Sequence, residues 1–305
     1  MKAGLLHTLL GLCLLLSLNS CIREHLDDCP PLSLVFFVED KNYVNIDDAK
    51  DLGLLEPKAE NLPFSEYVQT LHIVVTDAEG DIVFEQRNTS VTDPKEQLRF
   101  VFPVSLPYGK YEVKAWGNLK SEAALHEGSR GVYLEQGDAC DEDIYLAAAT
   151  VDYQYGQEEH LLGMQRTKGN LLVQVENVSE RVNHSTQSLQ QVMSAVDWQW
   201  NYSEPVTKQA AHDWTQTRKF VTQTLAGPSP QKDGTVLQVR FWAKDAAGQL
   251  APLDREVPIP DAVGITLTRN TLTILKYVYD DTSGDFLIYV YVNDEWQRIH
   301  SMEID

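Results

Sequence analysis

Four cysteines, four methionines and eight histidines are all that this 305-residue chain holds of the residues that bind soft metals or carry redox chemistry. The histidines are scattered, and no two lie within four positions of each other, so the short spacing of a zinc site is missing. Also missing are Cys-x-x-Cys, Gly-x-Ser-x-Gly, His-Glu-x-x-His and a phosphate-binding loop. Those absences leave no catalytic residue, no cofactor and no metal ligand to assign. Carboxylates are plentiful, but a glycosidase pair is defined by a separation across a cleft, which residue order does not supply. Basic residues are scarce: 25 Lys and Arg stand against 45 Asp and Glu, a formal net charge of −20. Such a chain repels nucleic acid and anionic lipid. Arginine is scarcest where it matters most, with none between Arg23 and Arg87.

Long apolar runs are rare too, and the one that exists opens the chain. Lys2 supplies a positive start, Leu5 to Leu18 an apolar stretch too short to span a bilayer, and Leu18-Asn19-Ser20-Cys21 a small residue before a cysteine. That order is the pattern of a bacterial lipoprotein signal, with cleavage between Ser20 and Cys21 and acylation of the Cys21 thiol. More than one acyl chain, at about 0.8 kcal/mol per buried methylene, anchors a protein stably. The expected segments are a signal peptide over 1–20, a lipidated tether over 21–30, and two β-sandwiches over 31–158 and 159–305. Once residues 1–20 are gone, 24 basic residues face 45 acidic ones, so lipid and not a basic patch has to hold the membrane. Cys29 and Cys140 then remain. In an oxidising compartment two such thiols form one disulfide, and two buried free thiols are the alternative.

The rest reads as short strands. Leu32 to Val38 is rich in β-branched and aromatic residues; Leu71–Thr76 and Ile82–Glu85 flank an acidic turn ending in Gly80. Leu98–Val104 follows, then Pro107-Tyr108-Gly109-Lys110 and the alternating Tyr111–Trp116, which predicts one buried and one exposed face. A second series begins near Leu161 with Leu171–Val178, Val236–Trp242, and a closing hairpin from Thr271 to Val292. Leu189, Val192, Met193 and Val196 fall at helical spacing and predict a short amphipathic helix. Turns every eight to twelve residues mark an all-β chain of two tandem β-sandwiches.

Two features invite a binding role. Asp138, Asp141, Glu142 and Asp143, and separately Asp280 to Asp285, are rich in oxygen ligands that could hold calcium. Asp and Gly are equally what tight turns require, and neither cluster matches a full ligand loop. Trp198, Trp200, Tyr202 and Trp214 could form a platform for sugar, although alternating aromatics more often fill a sandwich core.

The lipoprotein pattern, Cys29-Pro30-Pro31 before a hydrophobic strand, Pro107–Tyr111 leading to Ala115-Trp116-Gly117-Asn118, and Arg269-Asn270-Thr271 before the last hairpin carry a resemblance. The chain resembles the FimB-like fimbrial anchor lipoproteins of the Bacteroides–Porphyromonas group, over most of its length after the signal. The resemblance implies transthyretin-like sandwiches, a lipid anchor in the cell outer membrane at the surface-exposed base of a fimbria, and a non-enzymatic role that attaches the fibre and caps or limits its assembly. It implies a fimbrial shaft subunit as partner, joined by β-strand addition. In related shaft subunits an arginine-specific protease removes the first strand; here residues 24–86 offer no arginine, so the first strand is expected to stay. The alternative is a surface glycan-binding lipoprotein of a polysaccharide-uptake system, which requires the tryptophans to form an exposed flat platform.

Overall fold

The computed structural model describes residues 30–103, 106–126, 130–135, 142–214, 219–253 and 257–299. Ser20 and Cys21, the thiols Cys29 and Cys140, and Asp138 and Asp141 lie outside the described residues.

The N-terminal unit runs through β1 (Ser33–Val38), α1 (Ile46–Asp51), β2 (Thr70–Thr76), β3 (Ile82–Ser90), β4 (Gln97–Val101), β5 (Gly109–Gly117), β6 (Leu125–His126), β7 (Gly131–Tyr133), β8 (Tyr145–Tyr153) and β9 (Glu159–Arg166). Its sheet order is β3-β2-β5-β8-β9-β1-β4. Strands β8 and β9 share only two residue pairs, Tyr145 with Arg166 and Leu146 with Gln165. The sheet therefore folds over at that corner into two facing layers. Between them lie Leu34 and Phe36 of β1, Ile73 and Val75 of β2, Val113 of β5, and Leu162 and Met164 of β9, all buried. Alternation in β1 explains the choice: Leu34, Phe36 and Val38 point to one face because successive strand side chains point opposite ways.

The first strand is central, not an edge. It pairs antiparallel with β4 and parallel with β9. Residues 159–166 thus belong to the same sheet as the first strands, and the C-terminal unit's first strand, β10 (Gly169–Glu176), starts three residues later.

That unit continues with β11 (His184–Asp197), β12 (Tyr202–Asp213), β13 (Lys219–Ala226), β14 (Thr235–Lys244), β15 (Leu250–Pro252), β16 (Val263–Ile265), β17 (Leu272–Asp280), β18 (Asp285–Val292) and β19 (Glu295–Ile299). One sheet is ordered β13-β10-β17-β18-β19; the other is β15-β14-β11-β7-β6, with β12 on β11 and β16 on β14. Leu171, Val173, Leu189, Val239, Phe241, Leu275 and Tyr277 fill the space between them. The chain is all-β, in two sandwiches. In both, the first strand lies between an antiparallel and a parallel neighbour, since β10 pairs with β13 and β17 as β1 does with β4 and β9.

Three expectations change. Residues 184–197 form a strand, not a helix. The register slips between Gln190 and Val192, and Gln191 takes a positive φ of 65°. That bulge adds one residue, so Leu189 and Val192 face the same core at a separation of three and imitate helical spacing. Second, the outward face of β5 is open only at its start. Tyr111, Val113 and Ala115 enter the first core; on the opposite face Lys110 is exposed and Glu112 partly so, while Lys114 and Trp116 further along are buried, Trp116 in a second core. Third, the closing hairpin gains another strand, β19, paired with β18.

The covering layer over Trp116 comes from the other unit. Strands β6 and β7 leave the N-terminal sandwich, and β7 pairs with the far end of β11, Val132 opposite Val196. Trp116, Leu119, Val132, Leu134, Leu146 and Val196 form the resulting core between the sandwiches, with Trp198, Trp200 and Tyr202 packed on it. On the other side α1 lays Ala49 over Leu172, Leu272 and Ile274. Asn45 fixes the approach, accepting from Leu272 N at 2.8 Å and donating to Leu272 O at 3.0 Å.

Candidate partner interface

A protein that recruits another strand needs an unpaired edge beside an apolar opening, because main-chain groups supply affinity and side-chain pockets supply register. The N-terminal sandwich has such an opening between its two edge strands. Among the described residues, strands β3 and β4 each pair on one side only, with β2 and β1 respectively. Between them lies a cleft of about 190 Å³ lined by Leu71, Ile73, Val91, Leu98 and Phe100. Its neighbouring wall is aromatic: Phe84 lies 5.7 Å from Phe100 and 5.0 Å from Phe102, centroid to centroid. Alternation in Gln97–Val101 aims Leu98 and Phe100 inward and leaves Gln97 and Arg99 outside. The hairpin and the Leu98 run are legible in the sequence, but their convergence on one opening is not. The edge of β3 is irregular, with register shifts after Leu71 and Val75 and a positive φ at Asn88, which twists it away from indiscriminate pairing.

Arg87, the first arginine after the tether, lies inside β3. Its guanidinium meets Glu85 at 3.0 Å and Glu122 at 2.7 Å, and these bonds hold its pKa above the ordinary arginine value. A cut there would fall at the bulge of this edge strand, where pairing with β2 skips from Gln86 to Thr89.

The sandwiches are locked by a polar clamp. Arg166 of β9, almost wholly buried, donates from Nε to Asp143 Oδ2 at 2.9 Å and from Nη1 to Asn270 Oδ1 at 3.2 Å. Its guanidinium stacks 4.3 Å from the Tyr43 ring. Burial opposes the charge, but Asp143 and the surrounding hydroxyls outweigh it and hold the Arg166 pKa high. Burial, with Asp143 adding to it, pushes the Tyr145 hydroxyl up. Beside it Arg269 donates to Asp40 Oδ2 and to the Arg166 carbonyl, both at 3.0 Å. The Arg269-Asn270-Thr271 and Trp116-Gly117-Asn118 segments therefore belong to the packing of the units. Asn270 and Asn118 both take positive φ, and Asn118 ties Tyr67 O and Asp143 O through its amide. A Cβ at Gly117 would come within 3.0 Å of Val68.

The aromatic residues do not assemble into a platform. Trp198 and Trp200 occupy the turn between β11 and β12, half-buried, with Lys114 Nζ 4.4 Å from one ring and the Arg269 guanidinium 4.6 Å from the other. Each cation covers a face that a sugar would need. Trp214 belongs to the other core, stacked on Phe220 at 3.4 Å. The Asp280 cluster is a turn: Oδ1 accepts from Thr282 N at 3.0 Å and Oδ2 from Ser283 Oγ at 2.9 Å, with Gly284 at φ 70°. Those bonds hold the Asp280 carboxyl below its usual range. Asp143 of the other cluster serves Arg166. Among the described residues no group of three or more His, Cys, Asp or Glu is placed to hold a metal ion.

These features define a class: a tandem β-sandwich protein whose prominent surface features are strand edges. The resemblance to fimbrial anchor proteins holds, since residues 26–168 match the family of fimbrillin-A associated anchor proteins Mfa1 and Mfa2. No curated protein matches the chain. Among solved structures, a candidate adhesin from Bacteroides ovatus superposes with a TM-score of 0.57 at 14% identity, covering 92% of this chain and 98% of that one. A candidate adhesin from Bacteroides thetaiotaomicron gives 0.56 at 15% identity, over 90% and 100% of the two chains. From the same organism, a structure described as a candidate polysaccharide-binding protein gives 0.51 at 12% identity, over 89% and 98%. These likenesses establish a shared fold.

Proposed function

We propose that the protein is a fimbrial anchor subunit held in the outer membrane by lipid on Cys21, after cleavage at the Ser20–Cys21 bond. It seats a fimbrial shaft subunit at the surface-exposed base of the fibre by β-strand addition and limits further assembly. The observation that carries this reading is the position of β1 within the matched segment. It is hydrogen-bonded on both sides, and Leu34 and Phe36 are wholly buried. With no arginine from 24 to 86, an arginine-specific protease has no site at which to remove the strand; a cut at Arg23 would shed the lipid and leave the strand in place, so the anchor role requires Arg23 to stay uncut. A subunit that keeps its first strand opens no groove by losing it, so a partner strand is left the edge opening between β3 and β4, which suits a terminus of the fibre. A Cys29–Cys140 disulfide would reinforce the attachment just ahead of β1. Transthyretin-like topology, and a division of the chain after Arg166 instead of at 158, complete the proposal.

The test is a pull-down of tagged full-length protein from detergent-solubilised outer membranes. Co-purification of a polymerising β-rich subunit, together with loss of membrane attachment in Cys21→Ala, is the expected result. Recovery of a porin-like transporter with bound glycan would replace this reading with the glycan-binding one.

A further inference from the structure

Several exposed apolar side chains gather at one end of the N-terminal sandwich. Tyr155 is 83% exposed, Leu161 67%, Val101 47% and Tyr108 41%. Strand register places them together. Ser33 at the start of β1 lies opposite Val101 at the end of β4 and Glu159 at the start of β9. Tyr153 at the end of β8 lies opposite Gly109 at the start of β5, and its ring meets that of Tyr108 at 4.9 Å. Tyr155 sits in the turn that joins β8 to β9. The C-terminal unit packs on the opposite end, around Trp116 and Leu146.

The tether emerges at this same end. Tyr153 Oη donates to Pro30 O at 2.7 Å, which pins the last residue before the sandwich beside the tyrosines. From Cys21 to Pro30 there are nine residue steps, at most about 32 Å fully extended and about 17 Å as an average coil. So short a link holds this end against whatever the lipid enters. Part of the local charge is paired in a strongly acidic chain: Arg99 meets Glu159 at 2.9 Å and Lys110 stands opposite Asp152, while Glu158, accepting from Gly156 N, keeps its charge. Tyrosines, apolar in body and polar at the tip, suit the boundary between lipid and water.

We propose that this end of the N-terminal sandwich, through Tyr155, Leu161, Tyr108 and Val101, rests on the bilayer surface that receives the Cys21 lipid. The inference depends on lipidation of Cys21, as in the function proposed above. It gives the anchor a defined posture, with the C-terminal unit directed away from the membrane. Lipid is the occupant because the short tether maintains a high local concentration of bilayer at this patch and of nothing else.

The test uses the lipidated mature protein in phosphatidylethanolamine vesicles, with an environment-sensitive fluorophore on Tyr155→Cys. The same fluorophore on Leu250→Cys in the C-terminal unit is the water reference, and labelled protein with neither change corrects for Cys29 and Cys140. The expected result is a blue shift and a several-fold fall in iodide quenching at 155, with no change at 250. Vesicle-bound protein whose 155 probe stays as quenchable as the 250 probe overturns the surface contact while leaving lipidation intact. Protein that does not stay with the vesicles overturns the lipidation beneath it. Shielding at 155 that persists in detergent without vesicles and grows with protein concentration assigns the patch to a second copy, which also overturns the proposal.

Discussion

If β1 is an integral strand, truncating its inward face should cost most of the stability of its sandwich. Leu34 and Phe36 are both wholly buried, two positions apart on one face, in a core bounded by β2, β5 and β9. Phe→Ala at such a site costs about 3–5 kcal/mol and Leu→Ala about 2–5. Adjacent on one strand, the two share neighbours, so the double variant should fall somewhat short of the sum. A loss near 6 kcal/mol takes up much of the roughly 5–15 kcal/mol by which a domain is stable. Leu34→Ala/Phe36→Ala should therefore lower the urea midpoint sharply, while Phe37→Ala, itself only half-buried on the opposite face, should shift it far less. Digestion with an arginine-specific protease is the companion assay: the segment from β1 to Gln86 should stay with the folded protein. The reasoning fails if the double variant unfolds at the parental urea concentration, or if digestion sheds β1 and leaves a compact remainder.

Two further outcomes follow from the packing. His72 is wholly buried with neither ring nitrogen hydrogen-bonded, its Nε2 3.6 Å from Glu85 Oε1; burial depresses its pKa against the weaker pull of Glu85. A depressed folded pKa means that the unfolded chain binds the proton first, so stability is full above about pH 6.5 and declines as pH falls toward the folded value. His72→Phe should flatten the dependence of melting temperature on pH just below about pH 6.5, and an unchanged slope would discount His72 as the cause. An added Cβ at Gly131 would stand 2.8 Å from Val196 O, so Gly131→Ala should pry β7 from β11. The expected loss is about 1–3 kcal/mol in urea denaturation, and a wild-type midpoint would mean that the two strands can part without cost.

Local patterns carried what was legible in the chain. Strand β1, the β2–β3 hairpin, β5 and the β17–β18 hairpin follow from runs of β-branched and aromatic residues broken by Gly, Pro and Asp, whose preferences act within a few residues. The lipoprotein pattern, the arginine gap and the resemblance to fimbrial anchors are likewise properties of residue order. Long-range pairing decided the rest. Gly131–Tyr133 looks like loop until β11 of the other unit supplies its partner, and Trp116 belongs to an outward face until that pairing covers it. The helical spacing of Leu189 and Val192 records a bulge that only register with β12 reveals. Arg166 and Asn270, 104 residues apart, signal nothing singly, because a buried charge is tolerable only beside the partners that folding brings to it. Leu71 and Phe100 become walls of one cleft by the same means, since a sandwich edge exists only once two distant strands face each other across a core.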